Sequence, residues 1–200
     1  MIDSTKSIDD ATPLNDISGL KLSSSKAYTL NEIYIKEAQN IAQATLKYLS
    51  AQPSKKEAPF TYEWLLFLHQ EMLGDVWEWA GKLRQCELSI GIKAYLISTE
   101  IKKLVDDLAY WEEYQTFDKT EIATRLHHRA VEIHPFQNGN GRWSRMLANI
   151  YLRQQGLMPV QWQEDLLAKE NPNRIRYIDA LKQADKGDYL ALIEMHKITF

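Results

Sequence analysis

Apolar positions recur at helical spacing through most of the chain. Leu30, Ile33, Ile41, Ala44 and Leu46 predict a helix over about Thr29–Leu49, ended before Pro53. Leu65, Leu66, Leu68 and Met72 predict a second over Tyr62–Leu73, with Gly74 as its stop. Ile101, Leu104, Val105, Leu108 and Trp111 mark a third, for which Ser98 offers a cap. Ile122, Leu126, Ala130 and Ile133 place a fourth over Thr120–Ile133, and Met146, Leu147, Ile150 and Tyr151 a fifth that begins near Asn140 or Gly141. Two more follow over Asn171–Ala184, where Pro172 suits the first turn, and Asp188–Lys197. Between the second and third helices the pattern changes: Leu83, Cys86, Leu88, Ile90, Ile92, Tyr95 and Ile97 come close to alternating around Gly91, which predicts a short β-hairpin. The expected architecture is all-α with one small β-hairpin, preceded by a Ser-, Asp- and Thr-rich arm over residues 1–27. The first helix and its linker occupy 28–60, and the main domain with its C-terminal helices occupies 61–200.

Composition narrows the class. The 200 residues suffice for a core, and 44% hydrophobic content excludes disorder throughout. A net charge of −3 argues against general nucleic-acid binding. Cys86 is the single cysteine, so no internal disulfide forms and a reducing, cytoplasmic setting is expected. The chain opens without a basic start and apolar core, and no apolar run reaches spanning length, so neither a signal peptide nor a membrane partner is expected.

The chemistry concentrates in His134-Pro135-Phe136-Gln137-Asn138-Gly139-Asn140-Gly141-Arg142-Trp143-Ser144-Arg145. Pro135 biases His134 out of the α region and so ends the fourth helix. Gly139 and Gly141 let a ligand approach the main chain closely. The unpaired N–H groups and partial positive charge of the next helix start favour a phosphate there. Arg142 and Arg145, three apart, add guanidinium forks suited to phosphate oxygens. His134 has the ordinary pKa of a general base. Ser144 stands where a dinucleotide fingerprint needs its last glycine, a helix leads in where a strand should, and no P-loop sequence occurs. What remains is a phosphate cradle beside a base, or a glycine-rich turn with solvated arginines.

The segment resembles the signature of the Fic family, His-Pro-Phe-x-Asp/Glu-Gly-Asn-Gly-Arg-x-x-Arg, with similarity over roughly Tyr62–Gln154; the arm and first helix resemble the mobile mystery protein B subfamily. The resemblance implies a Fic-like helical domain that transfers AMP from ATP to a Ser, Thr or Tyr hydroxyl of a target protein. It implies His134 as base, Phe136 packed inward, and Gly139, Asn140, Gly141, Arg142 and Arg145 on the phosphates, Arg145 nearer the γ end. It also implies that the hairpin is a flap whose edge, Leu88, Ser89, Ile90, Gly91 and Ile92, docks the target segment. Asn138 stands where the family has a carboxylate for Mg2+. Magnesium prefers anionic oxygens, so weaker metal binding or reduced activity is expected. Transfer of UMP, phosphocholine or a phosphoryl group, and a catalytically impaired module that holds nucleotide or a partner, are the alternatives. Many members carry an inhibitory glutamate in a Ser/Thr-x-x-x-Glu-Gly/Asn helix; no glutamate here has Ser or Thr four residues before it, which leaves Glu32 and Glu37 of the first helix as candidates to reach Arg145, or an antitoxin or other regulatory partner in their place.

Other residues carry less. His127 and His134 sit about 10 Å apart along a helix, too far to share one ion. His69 and His196 read as ordinary part-buried histidines, Trp77 and Trp79 as aromatic anchors, and Cys86 lacks a base. Trp143 fits either a nucleobase wall or the core. As well as a flap, the hairpin fits a plain stabilising ribbon.

Overall fold

The computed structural model describes residues 18–21, 28–162 and 171–197. Most of the expected arm lies outside them, including the Ala11–Leu14 stretch. The helices are α1 Leu30–Leu49, α2 Tyr62–Leu73, α3 Ile97–Glu113, α4 Lys119–Ile133, α5 Asn140–Gln154, α6 Pro172–Ala184 and α7 Leu190–Lys197. Four of the starts carry a side-chain cap. Thr29 and Glu32 form a reciprocal capping box on α1. Thr61 caps α2, Asp118 caps α4, and Asn171 caps α6 with Pro172 in its first turn. Ser98 does not cap α3: the N-cap is Leu96, and the Ser98 hydroxyl lies within the helix, 3.1 Å from the Tyr62 hydroxyl.

The element at the centre is α5. Eleven of its fifteen residues are buried, and it packs against α4, α1 and α2. Ile33, Ala44 and Tyr48 of α1 join Leu65, Leu68, Met72 and Leu73 of α2 in the same core as Leu147, Ile150 and Tyr151. Each fully buried aliphatic side chain of that set contributes about 1.5–3 kcal/mol. A smaller cluster of Tyr177, Ala180, Ala184 and Leu192 forms where α6 and α7 meet. The arm contributes one short strap: Leu20 bridges Trp77 in antiparallel fashion, with Lys21 N–H to the Val76 carbonyl at 2.8 Å and Glu78 N–H to the Gly19 carbonyl at 2.7 Å.

The predicted hairpin is not a hairpin. Residues 82–93 form an irregular loop with no strand pairing among the described residues. Its polar groups go elsewhere: the buried Arg84 side chain donates to the carbonyls of Cys86, Ile92 and His134. A guanidinium with five donors replaces the cross-strand ladder and bends the chain around itself. Gly91, at φ 98°, sits at the inner turn of this loop.

Candidate functional site

Helix α4 ends at Ile133, and His134 takes the left-handed conformation at φ 50°, ψ 61°. That conformation costs a non-glycine residue roughly 1–2 kcal/mol. Arg84 holds it: its Nε donates to the His134 carbonyl at 2.7 Å and its main-chain N–H to the Pro135 carbonyl at 3.0 Å. The loop then packs against the root of the His134 side chain, since a Cβ on Gly91 would stand 2.5 Å from the His134 Cβ. His134 is only 9% exposed, and its buried Nδ1 makes no close hydrogen bond, although the Val131 carbonyl lies near enough to the ring to favour its protonated form. Burial pushes its pKa down to about 4, opposed by the Val131 carbonyl and reinforced by the Arg84 charge. At neutral pH the ring is uncharged and able to take a proton.

Phe136 is fully buried, stacked on His69 at 3.6 Å between ring centroids and edge-on to Trp143 at 5.0 Å. Asn140 ties the loop shut. Its Oδ1 accepts from the Phe136 N–H at 2.9 Å and its Nδ2 donates to the Phe136 carbonyl at 2.8 Å. The Asn140 side chain therefore shapes the loop, and what it can offer a ligand is its main-chain N–H. Gly139, the N-cap of α5 at φ 78°, has no room for a side chain: a Cβ would meet Leu73 Cδ1 at 2.5 Å and His69 Nε2 at 3.2 Å. Helix geometry leaves the N–H groups of Asn140, Gly141 and Arg142 without acceptors inside the helix.

Both arginines lie at this helix start. Arg142 Nη2 would be 3.9 Å from a Gly139 Cβ, and Arg145 Nη1 3.3 Å from a Gly141 Cβ. Arg142 is engaged by Glu37 of α1, 1% exposed, whose Oε2 accepts from Arg142 Nη1 at 2.7 Å while Oε1 accepts from Trp77 Nε1. Arg145 is 8% exposed, and its charge helps lower the pKa of His127. Of the two candidate glutamates, Glu37 thus reaches a motif arginine, Arg142, while Glu32 serves the α1 cap. Trp143 belongs to the core, with Nε1 donating to the Leu65 carbonyl at 3.1 Å.

Asn138 offers a neutral amide oxygen, and that oxygen accepts from the Gly139 N–H at 2.6 Å. Among the described residues no group of three His, Cys, Asp or Glu side chains could hold a metal. Magnesium is usually held by one or two carboxylates together with substrate phosphates, and at this position the chain supplies the neutral Asn138 amide instead. Around the loop, Leu88, Ile90 and Ile92 are half-buried and Ser89 and Gly91 exposed. Two residues escaped the sequence pattern. Arg84 carries no local signal. His69 had one, since it falls on the buried stripe of α2 with Leu65, Leu68 and Met72.

A profile of the Fic/DOC family matches residues 59–152. Protein adenylyltransferase Fic of Aedes aegypti is 30% identical over 149 residues, which cover 72% of this chain and 28% of that protein. The chain thus spans less than a third of the length of this curated relative. Among solved structures, Fic-1 from C. elegans superposes with a TM-score of 0.68 at 24% identity, over 90% of this chain and 56% of that one. An N-terminal Fic domain from Bartonella quintana with bound ADP superposes at 0.59, with 21% identity and 85% of each chain covered. No helix among the described residues is long and apolar enough to cross a membrane. Through the segment that carries His134 and the glycine-flanked helix start, the chain belongs to the Fic/DOC family.

Proposed function

We propose that this site transfers AMP from ATP to a Ser, Thr or Tyr hydroxyl of a protein. One observation carries the proposal: a neutral, largely buried imidazole stands just before a helix start at which two guanidinium groups converge. The ring of His134 takes the proton of the attacking hydroxyl. The freed oxygen forms a bond to the α-phosphorus, the bond from that phosphorus to the bridging oxygen breaks, and pyrophosphate leaves. The main-chain N–H groups at the start of α5 and the charge of Arg142 and Arg145 neutralise the phosphate oxygens as the charge moves. The relatives' adenylyltransferase names and the ADP in the Bartonella domain support a nucleotide here. The 88–92 loop, which packs on His134 through Gly91, is the surface we assign to the target segment.

Glu37 supplies the restraint in this scheme. While its carboxylate holds Arg142, a phosphate must compete with it for that guanidinium. A binding-only function has one observation in its favour, the neutral amide of Asn138.

Incubation with α-labelled ATP and lysate separates these functions. Label on protein is expected to fall about 10²–10⁴-fold with His134→Ala. It is expected to rise about tenfold with Glu37→Gln. Label from γ-labelled ATP points to phosphoryl transfer; tight binding without covalent product leaves the binding module. Equal labelling by wild type and His134→Ala defeats the proposed mechanism.

A further inference from the structure

His69 lies outside the motif, 69 residues before Asn138, yet three features of the cradle converge on it. It is completely buried. The main-chain N–H of Gly81 approaches its Nδ1 at 2.9 Å, and a main-chain N–H can only donate. Nδ1 is therefore an acceptor, the ring proton sits on Nε2, and Nε2–H donates to the Asn138 carbonyl at 3.0 Å. The ring also lies flat on Phe136, with 9° between the planes.

That carbonyl belongs to the peptide joining Asn138 to Gly139. The unit is planar, so fixing its oxygen also fixes the direction of the Gly139 N–H and the entry into the left-handed Gly139. From there the chain turns directly into the first turn of α5. We propose that His69 is a positioning residue for the phosphate cradle: as the Nε2–H tautomer it holds the Asn138 carbonyl and the Phe136 ring, and so sets the main-chain N–H groups at the start of α5. The role rests on the functional assignment above for its purpose, but not for its geometry. Burial keeps the ring neutral, with its pKa pushed down to about 3, so the tautomer persists across ordinary pH.

An ordinary core histidine would lose little to a ring of like size. The deciding variants are His69→Phe, which keeps the stacking and loses both hydrogen bonds, and His69→Gln, which keeps an amide donor for the Asn138 carbonyl. Nitrogen-15 spectroscopy of the wild-type ring is expected to show the proton on Nε2. Hydrogen exchange in His69→Phe is expected to rise at least tenfold at the Gly139 and Trp143 amides and stay unchanged at Leu68 and Ile150. Its affinity for ATP should fall about tenfold, and His69→Gln should recover most of both losses. A proton on Nδ1, wild-type exchange in His69→Phe, or a His69→Gln variant as loose as His69→Phe overturns the assignment. Should His69→Phe fail to fold, the tautomer and the exchange of His69→Gln decide. Failure of the wild type to bind ATP defeats the functional assignment alone, because tautomer and exchange are read without nucleotide.

Discussion

Helix α4 carries buried histidines at two places, and they are finished differently. At the C-terminal cluster, His196 Nδ1–H donates to the Leu192 carbonyl at 2.9 Å, which leaves its Nε2 to accept. His127 Nδ1–H donates to that nitrogen at 3.1 Å, and His127 Nε2 accepts from the Tyr177 hydroxyl at 2.9 Å. Every ring nitrogen of this pair is used, and the relay welds α6 and α7 to α4. At the C-cap of α4, His134 has the Val131 carbonyl beside its ring but keeps a buried Nδ1 that makes no close hydrogen bond, next to a helix start whose N–H groups lack acceptors inside the helix. Satisfied polar groups lock elements together, whereas groups left open at a rigid place are available for chemistry. The rigidity comes from outside the motif, from Arg84 on one side and His69 on the other.

The sharpest way to break this contrast is to compare Arg84→Gln with His127→Phe. Glutamine has two amide donors in place of five and cannot reach the His134, Cys86 and Ile92 carbonyls together. We expect transfer to fall about 10²-fold, in line with the sensitivity of catalysis to misplacement near 1 Å. His127→Phe removes the hydrogen bonds to His196 Nε2 and from the Tyr177 hydroxyl and is expected to cost about 2–4 kcal/mol of stability. Transfer by its folded fraction should change less than about threefold. Turnover and urea midpoints of both variants check this; an Arg84→Gln protein of wild-type turnover would dissolve the distinction.

The sequence pattern foresaw the half of this contrast that is written locally. The Pro135 break, the helix start at Asn140 and the glycines between them follow from residues within one turn of each other; α4 begins and ends, and α5 begins, within a residue or so of the expected positions. Glu37 was within reach of the same reasoning, because it falls on the Ile33–Ala44–Tyr48 stripe that α1 buries, where a carboxylate needs a partner. Arg84 was not. Near-alternation from Leu83 to Ile97 suggested strands, but the deciding hydrogen bonds come from one side chain that reaches carbonyls up to 50 residues away. Side-chain periodicity carries no information about such a bond. His69 shows the intermediate case: its burial was periodic, and its partners were not.

Acid should dissolve both regions and sharpen their order. The buried rings of His69, His134 and His196 have pKa values pushed down to about 3, 4 and 4, and that of His127 lies well below the ordinary 6.5. In each case burial is the main cause. Below pH 6.5 the unfolded chain binds protons that the folded chain refuses. Stability present above that pH is therefore lost as the pH falls towards the folded values, by up to about 1.4 kcal/mol per pH unit for each histidine. Thermal midpoints should fall steeply between pH 6.5 and 4.5. Activity of the surviving folded protein should persist through that range, since His134 stays neutral there. A rate that titrates near 6.5 while the midpoint holds would mean that His134 is not enclosed as described.

The smallest effect expected is at Asn138, where the side chain can change while its carbonyl stays on His69. An aspartate there would keep an oxygen for the Gly139 N–H and place a negative charge at the start of α5. Charge at that end of a helix stabilises by about 0.3–1 kcal/mol. The second carboxylate oxygen would add the anionic ligand that magnesium prefers. Asn138→Asp should therefore raise the thermal midpoint slightly and increase transfer a few-fold at limiting Mg2+, with less change at saturating Mg2+. Titration of Mg2+ into the nucleotide-bound protein reads the same difference without turnover. A gain in stability with unchanged metal dependence would place the Asn138 side chain in loop architecture alone, and a change in metal dependence without that gain would place it against the phosphates.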